Sequence, residues 1–262
     1  EQVRDTENLY QLNTYKKLPI SIERGEGVWV YDSEGQRYLD LYGGHAVALT
    51  GHCHPEIVSA VKSQAEKLIF YSNVVYSSVR ARAAKAIIEI APAGMDKVFF
   101  CNSGAEANEA AIKLARLYGH QKNIEKPAIV VMEKSFHGRT LATLSATGNR
   151  KIQQGFAPLP EGFIRVPFND NPAIEEVERQ NQSIVAIMVE PNQGDGGVII
   201  PADDYLNQIR NICDQHQLLM MLDEIQTGIG RTGKFLAYQH NGILPDVCTL
   251  AKALGNGVPI GA

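Results

Sequence analysis

The sequence predicts an α/β protein built on a mostly parallel sheet with helices on both faces. Beyond residue 91, short continuous apolar runs alternate with amphipathic helical stretches along the 262-residue chain. Continuous apolar strands are typical of parallel sheets buried on both faces, and parallel neighbours are usually joined by helices. The 44% share of apolar residues suffices for a sizeable core. The pattern favours one large domain with a small appendage.

The appendage lies at the N-terminus, where we expect a short antiparallel segment, a small β-meander. Three β-type runs, at residues 20–22, 28–31 and 38–41, are separated by glycine-containing turn signals. We assign residues 1–54 to this segment, as part of a small domain, and residues 55–262 to the large domain. Helical spacing begins in the latter with Ile57, Val61, Ala65 and Leu68.

The large domain is expected to alternate strands and helices. Strands are predicted at residues 98–101, 128–132, 184–189, 218–222 and 247–250. Helices between them show one-sided apolar spacing through Ala107, Ala111, Leu114, Ala115 and Tyr118, and through Tyr205, Ile209, Ile212, Cys213 and His216. In open sheets of this kind, ligands bind beyond the carboxyl ends of the strands. Polar residues that follow strands are therefore the first candidates for a functional site.

Composition excludes several classes of function. The 25 basic and 29 acidic residues include no basic cluster, which argues against a nucleic-acid partner. No apolar run approaches the roughly 20 residues of a membrane span, and the polar start lacks the pattern of a secretory signal. A cytoplasmic location is expected. Four widely spaced cysteines favour reduced thiols over disulfides.

Two short motifs carry no site. The run His52-Cys53-His54 points adjacent side chains in different directions and has no second ligand cluster, so we predict no metal site. Residues 228–233 share glycine spacing with dinucleotide-binding loops. However, the preceding strand ends well before them, no helix signal follows, and no P-loop is present.

Three features stand at predicted strand ends. Residues 102–106 (Asn-Ser-Gly-Ala-Glu) open a helix, where Ser103 and free N–H groups can hold a phosphate or simply cap the helix. Asp223 follows a buried strand, where its carboxylate can pair with a protonated ring nitrogen or form a structural ion pair. Lys252 lies in an apolar turn, either as an activated amine or as an ordinary surface lysine. Together they match the three groups that pyridoxal phosphate presents to a protein.

Five stretches, in this order and spacing, resemble class III (subgroup II) pyridoxal-phosphate-dependent aminotransferases of fold type I, and most nearly the acetylornithine and ornithine aminotransferases. The stretches are Gly51-His52-Cys53-His54-Pro55, Asn102-Ser103-Gly104-Ala105-Glu106-Ala107-Asn108-Glu109-Ala110, Phe136-His137-Gly138-Arg139-Thr140, Leu222-Asp223-Glu224-Ile225-Gln226-Thr227-Gly228 and Ala251-Lys252-Ala253-Leu254-Gly255. The similarity runs from about Leu18 to Ala262.

The resemblance implies a role for each site residue. Lys252 carries the cofactor as a Schiff base and then moves the substrate proton, and Asp223 keeps the ring nitrogen protonated. The remaining roles fall to residues that hold the phosphate (Ser103, Gly104, Ala105), stack on the ring (Phe136), approach its hydroxyl (Gln226), clamp the substrate carboxylate (Arg139) and help bind substrate (Tyr15). The resemblance also implies a homodimer that acts on a small amine and a 2-oxo acid.

The resemblance leaves the reaction open in several respects. The first hypothesis is transfer of the terminal amino group of N2-acetylornithine to 2-oxoglutarate, in arginine biosynthesis. Ornithine, 4-aminobutyrate and succinyl-diaminopimelate are alternative amino donors. The protein could also belong to another functional class, either as a pyridoxal-phosphate-dependent isomerase or decarboxylase or as a non-catalytic relative with the same fold. Asp195 replaces a longer glutamate of the family pattern, and His45 stands at a variable position. We also expect that a C-terminal small domain is absent and that the chain alone is inactive.

Overall fold

The computed structural model describes residues 2–91 and 94–262. These residues form two compact units, one ending at Val75 and the other beginning at Tyr76. Whether residues 1–54 and 55–262 are separate domains stays a prediction. No helix in the described ranges combines the length and the apolar character needed to cross a membrane.

The first unit contains the expected antiparallel meander. Its strands are β1 (Ile22–Glu26), β2 (Trp29–Asp32) and β3 (Arg37–Leu39), paired in chain order. Gly27 and Gly35 adopt positive φ angles of 55° and 82° at the two turns, which explains the glycines there. The unit also contains α1 (Gln2–Tyr10), the left-handed turn α2 (Gly43–Ala46) and α3 (Pro55–Ala65).

The second unit contains the parallel sheet. Its strands are β4 (Ala128–Met132), β5 (Phe163–Val166), β6 (Ile184–Val189), β7 (Leu219–Asp223) and β8 (Val247–Thr249). In the described residues their order is β5-β4-β6-β7-β8, and every neighbouring pair is parallel. The helices are α4 (Ser78–Ile90), α5 (Gly104–Gln121), α6 (Leu141–Ala146), α7 (Asn171–Gln180) and α8 (Tyr205–His216).

Each face of this sheet has its own core. Alternate residues of β6 point to opposite faces, so Ile187 packs with Ile209 of α8 on one side, and Ala186 packs with Ala111 and Ala115 of α5 on the other. The predicted α/β fold with helices on both faces is confirmed.

The strand predicted at residues 98–101 is wrong. A strand needs a paired backbone, and in the described structure only Cys101 pairs there, forming an isolated antiparallel bridge with Gly261. An apolar cavity of about 430 Å³ is lined by Val98 and Phe99 of this segment and by residues of β8. Strand β5 escaped prediction because Arg165 interrupts its short apolar run.

We expect Ile187→Ala to lower the free energy of unfolding by about 2–5 kcal/mol, because it empties space in a packed core that relaxes only partly. Ile187 is fully buried in the central strand, whereas Ile200 is 72% exposed. Ile200→Ala is therefore the matched control, with an expected change within about 0.5 kcal/mol. Denaturant unfolding measures both, and equal effects would contradict the assigned core.

Candidate active site

Asp223 is the last residue of β7 and lies at the carboxyl edge of the sheet. Its side chain is only 4% exposed. Oδ2 accepts hydrogen bonds from Asn108 Nδ2 (2.8 Å) and lies 2.7 Å from His137 Nδ1, while Oδ1 accepts one from the Ile225 N–H (3.1 Å). A buried carboxylate with this many partners is held in one orientation.

His137 supports Asp223 from a fully buried position. Burial lowers the pKa of His137, but the hydrogen bond and charge of Asp223 outweigh it, so the pKa is raised overall. The other ring nitrogen, Nε2, is buried and has no hydrogen-bond partner among the described residues. The backbone N–H of His137 donates to Thr147 Oγ1 (2.9 Å), and Asn108 Nδ2 donates to the His137 carbonyl (2.8 Å).

Ser103 begins helix α5, as one of the two sequence interpretations expected. Its Oγ accepts the Glu106 N–H (3.2 Å) and so caps the helix, and Glu106 Oε2 accepts the N–H of the preceding residue, Asn102 (2.7 Å). The first N–H groups of a helix have no partner inside the helix, so those of Gly104 and Ala105 face outward at its positive end. The same turn both caps the helix and presents anion-binding groups.

Lys252 follows β8 at the same edge and starts a short 3₁₀ helix, Lys252–Leu254. Its φ is 46°, in the left-handed region that side chains other than glycine rarely occupy. Burial lowers the pKa of Lys252, while the charges of Asp223, Glu190 and Asp195 oppose this shift. Its side-chain amine forms no hydrogen bond with another described residue. A strained, half-buried amine among carboxylates has the features of a reactive lysine.

Glu190 follows the central strand β6 and is 7% exposed. Its two carboxylate oxygens accept the N–H groups of Phe136 (2.9 Å) and Gly194 (3.4 Å). Gly194 packs directly on the amide oxygen of Gln226, which occupies the space where a β-carbon at residue 194 would lie. These contacts place Phe136 and Gly194, the residue on which Gln226 packs, at the same carboxylate.

Arg139 and Phe136 lie close together beyond β4. The Arg139 guanidinium carbon lies 5.8 Å from the centre of the Phe136 ring, within cation–π range. Arg139 is exposed and Phe136 half-buried, so a cation stands at the open side of an aromatic face. Asp195 is also exposed, in the loop after β6.

Tyr15 and His45 belong to the first unit. Tyr15 is 60% exposed and His45 contacts the ring of Tyr42 at 4.6 Å. In the run 52–54, His52 Nε2 lies 2.7 Å from Asp40 Oδ2 and Cys53 is exposed. The role of Tyr15 in substrate binding stays a prediction.

Sequence reasoning assigned no role to Asn108, His137 or Glu190. For two of them the sequence does contain a weak indication of a role. Asn108 is a polar residue on the apolar face of α5, and Glu190 directly follows an apolar run, as Asp223 does. Neither pattern shows which distant group each side chain contacts. Asn108 and Asp223 are separated by 115 positions in the sequence.

The stability of the cofactor-free protein should depend on the ionisation of Glu190. Burial, the largest cause, raises its pKa from 4.5 to about 7, and the charge of Asp223 adds to this, whereas His137 and the two N–H donors oppose it. The folded state therefore binds more protons between these values, so this contribution to stability falls as the pH rises from 4.5 to about 7. Relative to wild type, Glu190→Gln should gain about 2–3 kcal/mol over that interval in urea unfolding. A pH-independent difference would contradict the shift.

The comparisons with known proteins identify the family. The family profile described as aminotransferase class-III matches residues 10–262. The acetylornithine aminotransferase of Nitrosomonas europaea is 56% identical over 96% of this chain, and that of Methanocaldococcus jannaschii is 49% identical over 98%. The chain spans 63% and 64% of the lengths of these two relatives.

Solved structures show the same fold. The ornithine aminotransferase of Toxoplasma gondii ME49 superposes with a TM-score of 0.94 at 33% identity, over 99% of this chain and 62% of that one. The N-acetylornithine aminotransferase of Stenotrophomonas maltophilia K279a gives a TM-score of 0.84 at 37% identity, over 98% of this chain and 63% of that one. The profile match covers nearly the whole chain, and the chain belongs to the class-III aminotransferases, a family of pyridoxal-phosphate-dependent enzymes.

Proposed function

We propose that the protein is an acetylornithine aminotransferase, which transfers the terminal amino group of N2-acetylornithine to 2-oxoglutarate in arginine biosynthesis. One observation carries the proposal: Lys252 and Asp223 lie at the same edge of the sheet, where their charges interact. Helix α5 begins at this edge too, and its Asn108 donates a hydrogen bond to Asp223. The identity of 56% with the acetylornithine aminotransferase of N. europaea supports this donor over the alternatives.

The residues present fit pyridoxal phosphate. The Lys252 amine has no hydrogen-bond partner in the described residues, Asp223 is a buried carboxylate beside it, and the start of α5 offers N–H groups to an anion. Phe136 supplies an aromatic face, and Gln226 supplies an amide that packs on Gly194. Ser103, Gly104 and Ala105 would hold the phosphate, Asp223 the ring nitrogen, Gln226 the ring hydroxyl, and Phe136 the ring face.

The bound cofactor supplies an aldehyde that condenses with amines and a ring that delocalises the electron pair left at the substrate carbon. Lys252 would hold the cofactor through its amine, and its Nζ would take up and return the substrate proton. Asp223 would hold the ring nitrogen, and His137 and Asn108 keep Asp223 in place. Burial at Lys252 favours the neutral amine that both tasks require.

Arg139 would bind the substrate α-carboxylate. A guanidinium matches a carboxylate in a two-point contact, and its place over Phe136 would direct the distal amine of the donor toward Lys252. A second candidate function is ornithine aminotransfer, which the TM-score of 0.94 with the T. gondii enzyme favours.

The experiment is a donor panel with the full-length gene product, pyridoxal phosphate and 2-oxoglutarate. We expect glutamate to form fastest with N2-acetylornithine, ahead of ornithine, 4-aminobutyrate and succinyl-diaminopimelate. One keto product for each glutamate excludes an isomerase or decarboxylase. No glutamate from any donor would overturn the proposal, and a faster rate with ornithine would select the second candidate.

We also propose a cytoplasmic homodimer. The first unit exposes a cluster of large apolar side chains, with Ile69 87%, Phe70 79% and Val74 87% exposed. Contiguous exposed apolar surface is typical of a protein interface. Sedimentation of the full-length gene product should give twice the monomer mass, and a fully active monomer would contradict the dimer.

A further inference from the structure

We propose that Glu190 is a positioning residue for the cofactor ring, because its carboxylate holds both Phe136 and the turn at Gly194 that supports Gln226. The inference rests on the proposed function, since Phe136 and Gln226 are the residues assigned there to the ring face and the ring hydroxyl.

The first contact is with the backbone of Phe136. The Phe136 N–H donates to Glu190 Oε1 at 2.9 Å. The next residue, His137, is held through its ring by Asp223. Val189 of β6 and Leu222 of β7 are paired in register, so the next residues, Glu190 and Asp223, lie side by side at the ends of neighbouring strands. Two adjacent carboxylates therefore hold two adjacent residues, one by its backbone and one by its ring.

The second contact is with the loop after β6. The Gly194 N–H donates to Glu190 Oε2 at 3.4 Å, and the Gln226 amide lies directly against the α-carbon side of Gly194. A shift of Gly194 would therefore move the surface on which Gln226 rests. Glu190 is the group that connects the Phe136 side of the site with the Gln226 side.

We expect Glu190 to act by holding the Phe136 and Gly194 N–H groups in place, and not by supplying a fixed negative charge. Burial raises the pKa of Glu190 to about 7, so the neutral acid is well populated at neutral pH. A glutamine at this position resembles the glutamate in shape and keeps an oxygen for the Phe136 N–H, the shorter contact, while its amide NH2 gives up the longer contact with the Gly194 N–H. An aspartate keeps the charge, but it is one methylene shorter and cannot reach both N–H donors.

The test uses the full-length gene product with Glu190→Gln and Glu190→Asp. Cofactor-free proteins are titrated with pyridoxal phosphate, and the visible circular dichroism of the bound cofactor reports the orientation of its ring. We expect Glu190→Gln, which keeps the 2.9 Å contact with Phe136, to bind within about threefold of wild type with an unchanged dichroic band. We expect Glu190→Asp, whose shorter side chain draws back from the Phe136 N–H, to bind about tenfold more weakly with an altered band.

Glu224→Gln is the matched control for the loss of a buried carboxylate. Glu224 is fully buried and accepts the N–H groups of Ala237 (2.8 Å) and Tyr238 (2.9 Å) and the hydroxyl of Thr227 (2.9 Å), so its partners differ from the Phe136 and Gly194 N–H groups that Glu190 accepts. We expect this variant to melt at a lower temperature with an unchanged dissociation constant. If Glu190→Asp behaves in the same way, Glu190 is merely structural and the inference is overturned.

The remaining outcomes separate the two proposals. If Glu190→Asp binds pyridoxal phosphate normally and Glu190→Gln binds it poorly, the charge of Glu190 is the important property. That result would overturn the inference but leave the proposed function standing. If the wild-type protein does not bind pyridoxal phosphate, the proposed function fails and the inference fails with it. If Glu190→Asp does not fold, a dichroic band in Glu190→Gln that differs from that of wild type still overturns the inference, and an unchanged band supports it.

Discussion

Replacing Lys252 by alanine is expected to abolish the visible absorbance of the lysine-linked cofactor and to lower kcat by at least about 10³-fold. The variant removes the nucleophile and the proton carrier together, and each contributes a large factor. The protein should remain folded. Alanine has the same β-carbon as lysine at the strained φ of 46°, and the change removes an amine whose burial lowers its pKa.

Lys234→Ala is the matched control, because Lys234 is exposed and lies in the loop before the 3₁₀ helix Ala237–His240. It should retain both the absorbance and the rate. Melting temperatures of the two cofactor-free variants separate a loss of chemistry from a loss of fold. A Lys252→Ala protein that keeps the visible band, or more than a tenth of the wild-type rate, would contradict the assignment.

Replacing Asp223 by asparagine is expected to lower kcat by about 10²–10³-fold, because the amide matches the carboxylate in shape but carries no charge to hold a proton on the ring nitrogen. Asparagine can still accept one of the hydrogen bonds from Asn108 or His137, so the backbone should move little. The same change should lower the pKa of His137, whose upward shift depends on the hydrogen bond and charge of Asp223.

Two measurements test the Asp223 prediction. Steady-state kinetics of Asp223→Asn gives the rate, with Asp214→Asn as the control, since Asp214 is exposed and pairs with Arg210 on α8. A proton NMR titration of the cofactor-free variant gives the pKa of His137 without any turnover. A rate within tenfold of wild type would show that Asp223 does not carry the ring charge, even if the pKa of His137 falls as expected.

Local patterns identified most of the large domain. Apolar runs predicted β4 and β6 with their observed bounds and β7 and β8 to within one residue, because each strand is buried on both faces and carries its own signal. The failures also have local causes. Residues 98–101 have the composition of a strand, yet composition cannot supply the paired backbone that a strand needs.

The sequence likewise predicted some residues of the candidate site and missed others. Lys252 and Asp223 could be found because the first follows β8 and the second ends β7, and the edge of a parallel sheet brings such positions together whatever their separation in sequence. The Ser103 turn could be found because it opens helix α5, although the strand expected before it does not form. The partners of these residues could not be found in that way. Asn108 contacts Asp223 from the second turn of α5, and its place depends on how that helix packs on the sheet.

The sequence by itself determined the fold class and the family and singled out Lys252 as the candidate reactive lysine, because these depend on periodicity, strand ends and motifs that are read along the chain. Only the tertiary structure decided that His137 and Asn108 hold Asp223, that Glu106 accepts the Asn102 N–H at the start of α5, and that Glu190 connects Phe136 with Gly194. Those contacts depend on strand register and helix docking, so residues far apart in sequence become hydrogen-bond partners only once the sheet has formed.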